Sequence, residues 1–321
     1  MDRRRFLQTT GVAAALAFAA RGGSAADEAT EDEPVPTVPY GLVDTHVHFW
    51  DPDHLRYPWL DNSNLLNQVY MSAEYDDAIA PYTVDQIVFV QAECIPEHWE
   101  DEARWVAELA EEDGRIQGIV ASAPLEEGEG VFPMLERLAE LPHMRGIRRL
   151  LQGEADPEFM LQPDFVAGVQ ALPDYDMTFD LGVHRGQLPA VIELVGRCPE
   201  VQFMLNHIAV PDIRGGNLDP WRDQLRTLSE LPNVYCKMSG VATAADHDNW
   251  TPADLRPAIE HVLDCFGFDR TAFGSDWPVM LLATTFPRWV DALSEIVADA
   301  SESEKRRLFR ETAQAFYRLP V

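Results

Sequence analysis

Lysine is almost missing from this chain. Only two of its 321 residues are lysines, Lys237 and Lys305, and arginine fills the other basic positions. Basic charge is short altogether: 25 lysines and arginines stand against 54 aspartates and glutamates, a net of −29 at pH 7. Such a surface repels phosphate backbones and anionic lipid, which excludes nucleic acid as a partner. It suits a protein working in high salt, where the screening length at 1 M is about 3 Å and self-repulsion is quenched. Cysteine is scarce as well. Cys94, Cys198, Cys236 and Cys265 form no Cys-x-x-Cys pair, and their apolar neighbours suit buried free thiols. Their even number leaves one disulfide open in an exported chain. Hydrophobic residues are not lacking. At 46%, they exclude disorder for the bulk of the chain.

Long apolar runs are also absent. The longest N-terminal one, residues 11–20, is rich in alanine and far short of the roughly 20 residues that span a bilayer. No stable membrane anchor is therefore expected. Arg3, Arg4 and Arg5 precede Phe6 and Leu7, and Gly22, Gly23, Ser24, Ala25 and Ala26 follow the run. The pattern resembles a twin-arginine export signal over residues 1–26. That implies passage through the twin-arginine machinery, in folded form, to an extracellular, periplasmic or cell-surface space. Residues 27–39 are acidic and carry Pro34, Pro36 and Pro39. They read as a flexible linker ahead of one domain over residues 40–321.

Within that domain short apolar runs alternate with amphipathic stretches. Strands are expected at 41–48, 86–93, 116–122, 144–151, 177–184, 201–207, 233–239 and 270–276. Helical spacing covers 99–110. Asp219 before Pro220, Thr251 before Pro252, and Ser301 with Glu304 read as helix starts, and Gly267 as a stop. Strands alternating with helices predict a parallel sheet with right-handed crossovers. An open doubly wound sheet calls for a glycine-rich turn after its first strand; here that strand ends in Thr45, His46, Val47 and His48, with no glycine. Eight units in this length instead predict an α/β fold of the (β/α)8 TIM-barrel type. Its first βα loop, residues 49–82, is long.

In such a barrel the chemistry sits at the C-terminal strand ends, and here those ends are polar. Strand 1 brings Asp44, His46 and His48, which share one face by strand alternation. Strand 2 brings Gln91 and Glu93, and strand 4 Arg148. Strand 5 ends at His184, strand 6 at His207. Strand 7 carries Lys237 and Ser239, and strand 8 ends in Asp276 and Trp277. A strand-end carboxylate beside imidazoles suits a general base for water, which makes Asp276 the candidate. His46, His48, His207, Lys237 and Arg148 are candidates to supply positive charge to a carbonyl oxygen or to substrate hydroxyls. A lysine in a chain that has nearly abandoned lysine suggests a need for a compact ammonium. Trp50 and Trp59, in the long loop, offer aromatic faces to a polyhydroxylated ring, and Gln91 and Glu93 offer polar contacts. Trp277 reads equally as an apolar wall of the site or a plug of the barrel.

The motifs resemble the amidohydrolase-related, lactonase-like branch of the amidohydrolase superfamily, which includes sugar-acid lactonases such as L-fuconolactonase and L-rhamnonolactonase. They run from Asp44 to Pro52, then Arg56 to Leu60, Gly146-Ile147-Arg148, Leu151-Gln152, Gln187-Leu188-Pro189, Cys236 to Gly240 and Gly274 to Pro278. One position departs: Asn206 precedes His207 where the family carries aspartate. An Asn206 facing the helices would affect packing only. The resemblance implies hydrolysis of a small-molecule substrate, a sugar-acid lactone or related carboxylic ester. It also implies a mononuclear metal set of His46, His48, His184 and Asp276, with His207 as the adjacent catalytic histidine. Imidazole and carboxylate suit one divalent ion, Zn²⁺ first. Some lactonases of the branch work without metal, so the set admits a metal-bound and a metal-free reading. Strand 4 has no lysine to carboxylate, so a binuclear site is not expected. The rival readings are a metal-dependent decarboxylase or amidase of the same superfamily and an exported sugar-acid binding protein without catalysis. The sequence leaves the oligomeric state open.

Overall fold

The computed structural model describes residues 36–321. The expected export signal and residues 27–35 of the expected linker lie outside the described residues. The linker's last residues are held: Val38 is buried, and the Thr37 backbone N–H donates to the Tyr82 hydroxyl at 3.3 Å.

Eight strands follow one another in one parallel sheet, in chain order. They are β1 (Leu42–Val47), β2 (Val84–Val90), β3 (Ile116–Ala121), β4 (Met144–Ile147), β5 (Thr178–Leu181), β6 (Phe203–Leu205), β7 (Val234–Met238) and β8 (Thr271–Phe273). β-Branched and aromatic residues make up half of them, as a pleated and doubly buried surface favours. The helices are α1 (Ser72–Ile79), α2 (Trp99–Glu112), α3 (Phe132–Ala139), α4 (Pro163–Gln170), α5 (Leu188–Arg197), α6 (Trp221–Ser229), α7 (Pro252–Phe266), α8 (Phe286–Ile296), α9 (Glu302–Arg306) and α10 (Thr312–Tyr317). The arrangement is a (β/α)8 barrel, nearly closed. None of its described helices is long and apolar enough to cross a membrane.

Several helix ends follow local chemistry. Thr251 caps α7, with the Asp254 carboxylate accepting its backbone N–H at 2.8 Å, and Gly267 ends that helix with φ 66°. Ser301 and Glu304 form the reciprocal box that starts α9. The start of α6 differs from expectation. Pro220 itself occupies the cap position, with φ −86° and ψ 8°, and Asp219 makes no cap. The four cysteines are free, so the disulfide left open by the sequence does not form.

Two apolar layers hold the barrel. The larger packs the outer strand faces under the helices. The smaller fills the barrel interior: Val43, Val88, Val90, Val120, Met204 and Ala272 pack with Phe316, Tyr317 and Leu319. The C-terminal segment therefore stops the end of the barrel opposite the strand C-termini. Gln86, near the start of β2, donates to the Pro320 carbonyl at 2.8 Å and fixes that plug.

Candidate active site

Closure of the barrel builds the site. Between β1 and β8 the hydrogen bonds are few, and they fall on the polar residues. The Asp276 N–H donates to the His46 carbonyl at 2.9 Å, and the His48 N–H to the Trp277 carbonyl at 2.8 Å. The seam thus fixes the two strand-1 histidines against the strand-8 aspartate. Asp276 has φ 67°, a left-handed backbone that asparagine and aspartate tolerate best. Its Oδ1 lies 3.6 Å from His46 Nε2, 3.5 Å from His48 Nε2 and 3.8 Å from His207 Nε2. All four residues are buried or nearly so.

Orientation is set from behind. His48 Nδ1 sits 2.7 Å from the Val90 carbonyl, so it donates there and turns a lone pair on Nε2 toward Asp276. His207 Nδ1 lies 2.9 Å from the Ser239 hydroxyl. Gly240 follows with φ 59°, and a Cβ there would meet His207 Nδ1 at 2.6 Å, so only glycine fits beside this ring. Arg148 reaches His46 Nε2 at 3.3 Å and donates to the Gln91 carbonyl, while its Nε has no partner.

Burial sets the protonation states. It pushes the His48 imidazolium down to about 3 and the His207 imidazolium down to about 4. It holds His46 well below the ordinary range, with the Lys237 ammonium adding to the effect. It raises the Asp276 carboxyl, against the pull of His207, Arg148 and Lys237. The three imidazoles are thus neutral at neutral pH, and the positive charge expected of them falls instead to Arg148.

A cavity of about 650 Å³ opens above this cluster. His48, Glu93, Arg148, His184, His207, Asp276 and Trp59 line it. His46 lies behind them, fully buried, its ring 4.5 Å from that of His207. The donor atoms of His46, His48 and Asp276 lie within 4.8 Å of one another, the one such group among the described residues. It does not include His184, which is exposed at the cavity wall, its backbone N–H bound to the Gln187 side chain. Three neutral or anionic N and O donors, with one position left open, are what a catalytic zinc site uses.

Several expected contacts turn out differently. Lys237 does not reach the cavity. It is fully buried beneath, donating to Asp180 Oδ2 at 2.7 Å and to the Thr45 carbonyl at 2.8 Å. Trp50 is buried in the long loop, its indole N–H shared between the Leu66 and Gln68 carbonyls, and it lines no part of the cavity. Trp277 is 1% exposed and packs edge-on against Tyr70 and Tyr75 in the outer apolar layer, so it neither walls the cavity nor plugs the barrel. Gln91 is buried behind Glu93, to whose carboxylate it donates at 2.8 Å; it orients Glu93 and leaves the cavity to it. Asp44 does not share the face of His46. A register irregularity between Asp44 and Val47 breaks the alternation, and the carboxylate accepts from the Tyr75 hydroxyl on α1 and the Ser275 N–H. Asn206 does not face the helices; its Nδ2 donates to Asp180 at 2.8 Å.

Asp180, missed by the sequence reading, is therefore the hub under the site. An aspartate alone among Phe179 and Leu181 in a short apolar strand was its only signal. Glu102 was missed as well. From α2 its carboxylate accepts the Ala92 N–H at 3.2 Å, while the Ala92 carbonyl takes the Trp59 indole N–H at 2.8 Å. Ala92, beside Glu93, is thereby held through both its N–H and its carbonyl. Burial raises the Glu102 carboxyl from 4.5 to about 7. The folded chain then holds a proton that the unfolded chain has lost, so stability falls as pH rises across that window. Glu102→Gln should raise the urea midpoint at pH 8, by the equivalent of about 3 kcal/mol at most, and leave it unchanged at about pH 4.5. Equal midpoints for both proteins at pH 8 would refute the assignment.

The comparisons agree with this architecture. A curated L-fucono-1,5-lactonase of Burkholderia multivorans is 34% identical over 293 residues, covering 87% of this chain and 96% of its own. An L-rhamnono-gamma-lactonase of Scheffersomyces stipitis is 24% identical over 289 residues, covering 75% and 86%. A solved amidohydrolase of Burkholderia multivorans with bound zinc superposes with a TM-score of 0.79 at 31% identity, covering 88% of this chain and all of that one. Residues 43–319 match the amidohydrolase family model, and the chain belongs to that family of hydrolases.

Proposed function

We propose that this hydrolase opens a lactone of a sugar acid, with Asp276 as general base for water. The observation that carries the reading is the Asp276 carboxylate, buried at the floor of the cavity among three neutral imidazoles and beside the Arg148 guanidinium. Asp276 takes a proton from water as the water oxygen bonds to the lactone carbonyl carbon. Arg148, the cation on the cavity wall, stabilises the oxyanion that develops. The ring C–O bond then breaks, and the leaving ring oxygen takes the proton held by Asp276, giving the open hydroxy acid. His207 orients the water or relays that proton. His46, His48 and Asp276 would hold one divalent ion, Zn²⁺ by donor type. When bound, such an ion polarises a carbonyl and acidifies water.

A proton-release screen on sugar lactones, in high salt and with and without chelator, tests the reading. Turnover of at least one lactone is the expected result. Binding without turnover would favour the binding-protein alternative, and loss of CO₂ from a carboxylated substrate would favour the decarboxylase. His184 gives a finer prediction. Because it stands outside the three-residue donor group, His184→Ala should raise KM several-fold and leave metal content as in the parent. Loss of metal together with kcat would make it a ligand instead. The proposal includes export in folded form, carried by Arg3, Arg4 and the apolar run that follows, and adaptation to high salt, carried by the net charge of −29.

A further inference from the structure

The cavity is divided by chemistry. Its floor is polar, but the wall above consists largely of Trp59, Ile95, Pro96, Leu150, Val210 and Val279. Trp59 and Thr243 turn no free polar atom to that upper half, and the polar groups left open at its edge are Glu93, Gln152 and His184. The Trp59 indole N–H is bound to the Ala92 carbonyl, so the ring offers its face. The Thr243 hydroxyl donates to the Gly240 carbonyl at 2.8 Å. Glu93 holds the Gln91 amide with one oxygen and keeps the other for a ring hydroxyl. At about 650 Å³ the cavity falls within the range of about 300–1,000 Å³ typical of drug-sized ligands, more room than one sugar-lactone ring fills. A polyol pushed against the upper wall would lose about tenfold in affinity for each hydroxyl left without a partner.

The surface gives an independent sign. Among the described residues the large apolar side chains that remain exposed are Trp59, Leu65, Val69, Leu282 and Val321. The first three belong to the loop after β1, and Leu282 to the loop after β8. Four of these five thus belong to loops that follow the C-terminal strand ends.

We propose that the substrate is a lactone whose ring carries an apolar arm, alkyl or aryl, lying along Trp59, Ile95, Leu150 and Val279. The inference rests on the lactonase reading and specifies its substrate. The reaction is unchanged: water adds to the ring carbonyl, the ring C–O bond breaks, and the arm stays on the hydroxy acid.

The test compares kcat/KM across γ-lactones bearing alkyl chains of increasing length, with sugar lactones alongside. The expected result is a rise of about fourfold per added methylene until the wall is covered, the ordinary yield of burying a methylene. Leu150→Asn and Val279→Asn, both at half-buried positions, should each lower kcat/KM for the longest chain about tenfold more than for the unsubstituted ring. Two variants guard against one misfolding. Turnover of sugar lactones with a flat or falling response to chain length would overturn the inference and leave the lactonase reading standing. Failure to open any lactone of either series would overturn both.

Discussion

Asp276→Asn should lower kcat by at least about a hundredfold while the barrel stays folded, the usual scale for removing a general base. The substitution changes one oxygen to an amide and keeps the shape. Asparagine accepts the backbone at φ 67° as readily as aspartate does, and the N–H that closes the barrel on the His46 carbonyl is untouched. What is lost is the one carboxylate oxygen among the described residues that faces His46, His48 and His207 together. The neighbouring imidazoles are poor substitutes, since burial holds their conjugate acids far below neutrality and makes them weak bases. Burial raises the Asp276 carboxyl above its ordinary value. The parent should therefore lose kcat/KM as pH falls through that raised value, and the variant should lack this limb. Metal content belongs in the same measurement, because the residue is also a candidate ligand. Near-parental turnover in a variant with an unchanged melting profile would refute the role of Asp276.

The succession of strands and helices was legible because each unit carries its own period and punctuation. The strand ends were not. The strand expected at 270–276 is only Thr271–Phe273, and that expected at 201–207 is Phe203–Leu205. The polar residues that made those runs look longer, His207 and Asp276, stand past the ladder in backbone of positive φ, as does Glu93 after β2. A site at the strand ends requires such departures, and a period of two cannot register them. The same limit explains Asp44, which the irregularity in β1 turns away from His46. Trp50 and Trp59 looked equivalent in the loop sequence, yet one is buried in the loop and the other lines the cavity. The difference depends on carbonyls of Leu66 and Ala92, which no local pattern announces. Lys237 was singled out correctly as unusual, but its partner Asp180 lies 57 residues away in sequence.

That pair sets the other large effect: Lys237→Met should destabilise the fold by about 3–5 kcal/mol, the scale for stranding one member of a buried ion pair. Asp180 and Lys237 are both fully buried. The Asp180 carboxylate accepts from Lys237 and Asn206 and from the Tyr317 hydroxyl at 2.9 Å, tying β5, β6, β7 and the C-terminal plug together. Lys237 also donates to the Thr45 carbonyl, immediately before His46. Methionine keeps the length of the side chain and leaves both acceptors short of a donor in a place water does not reach. Arginine should not rescue, because a planar fork does not fit where one compact ammonium bridges two oxygens. Removing the charge on both sides, in Lys237→Met with Asp180→Asn, should recover part of the loss, since no unpaired ion then remains. Molar salt should not weaken the pair, being buried, whereas it screens the surface. Urea unfolding in high salt reads all three variants. If Lys237→Met unfolds at the parental midpoint and loses only kcat, the ammonium acts on the substrate after all, as the sequence alone suggested, and the structural assignment fails.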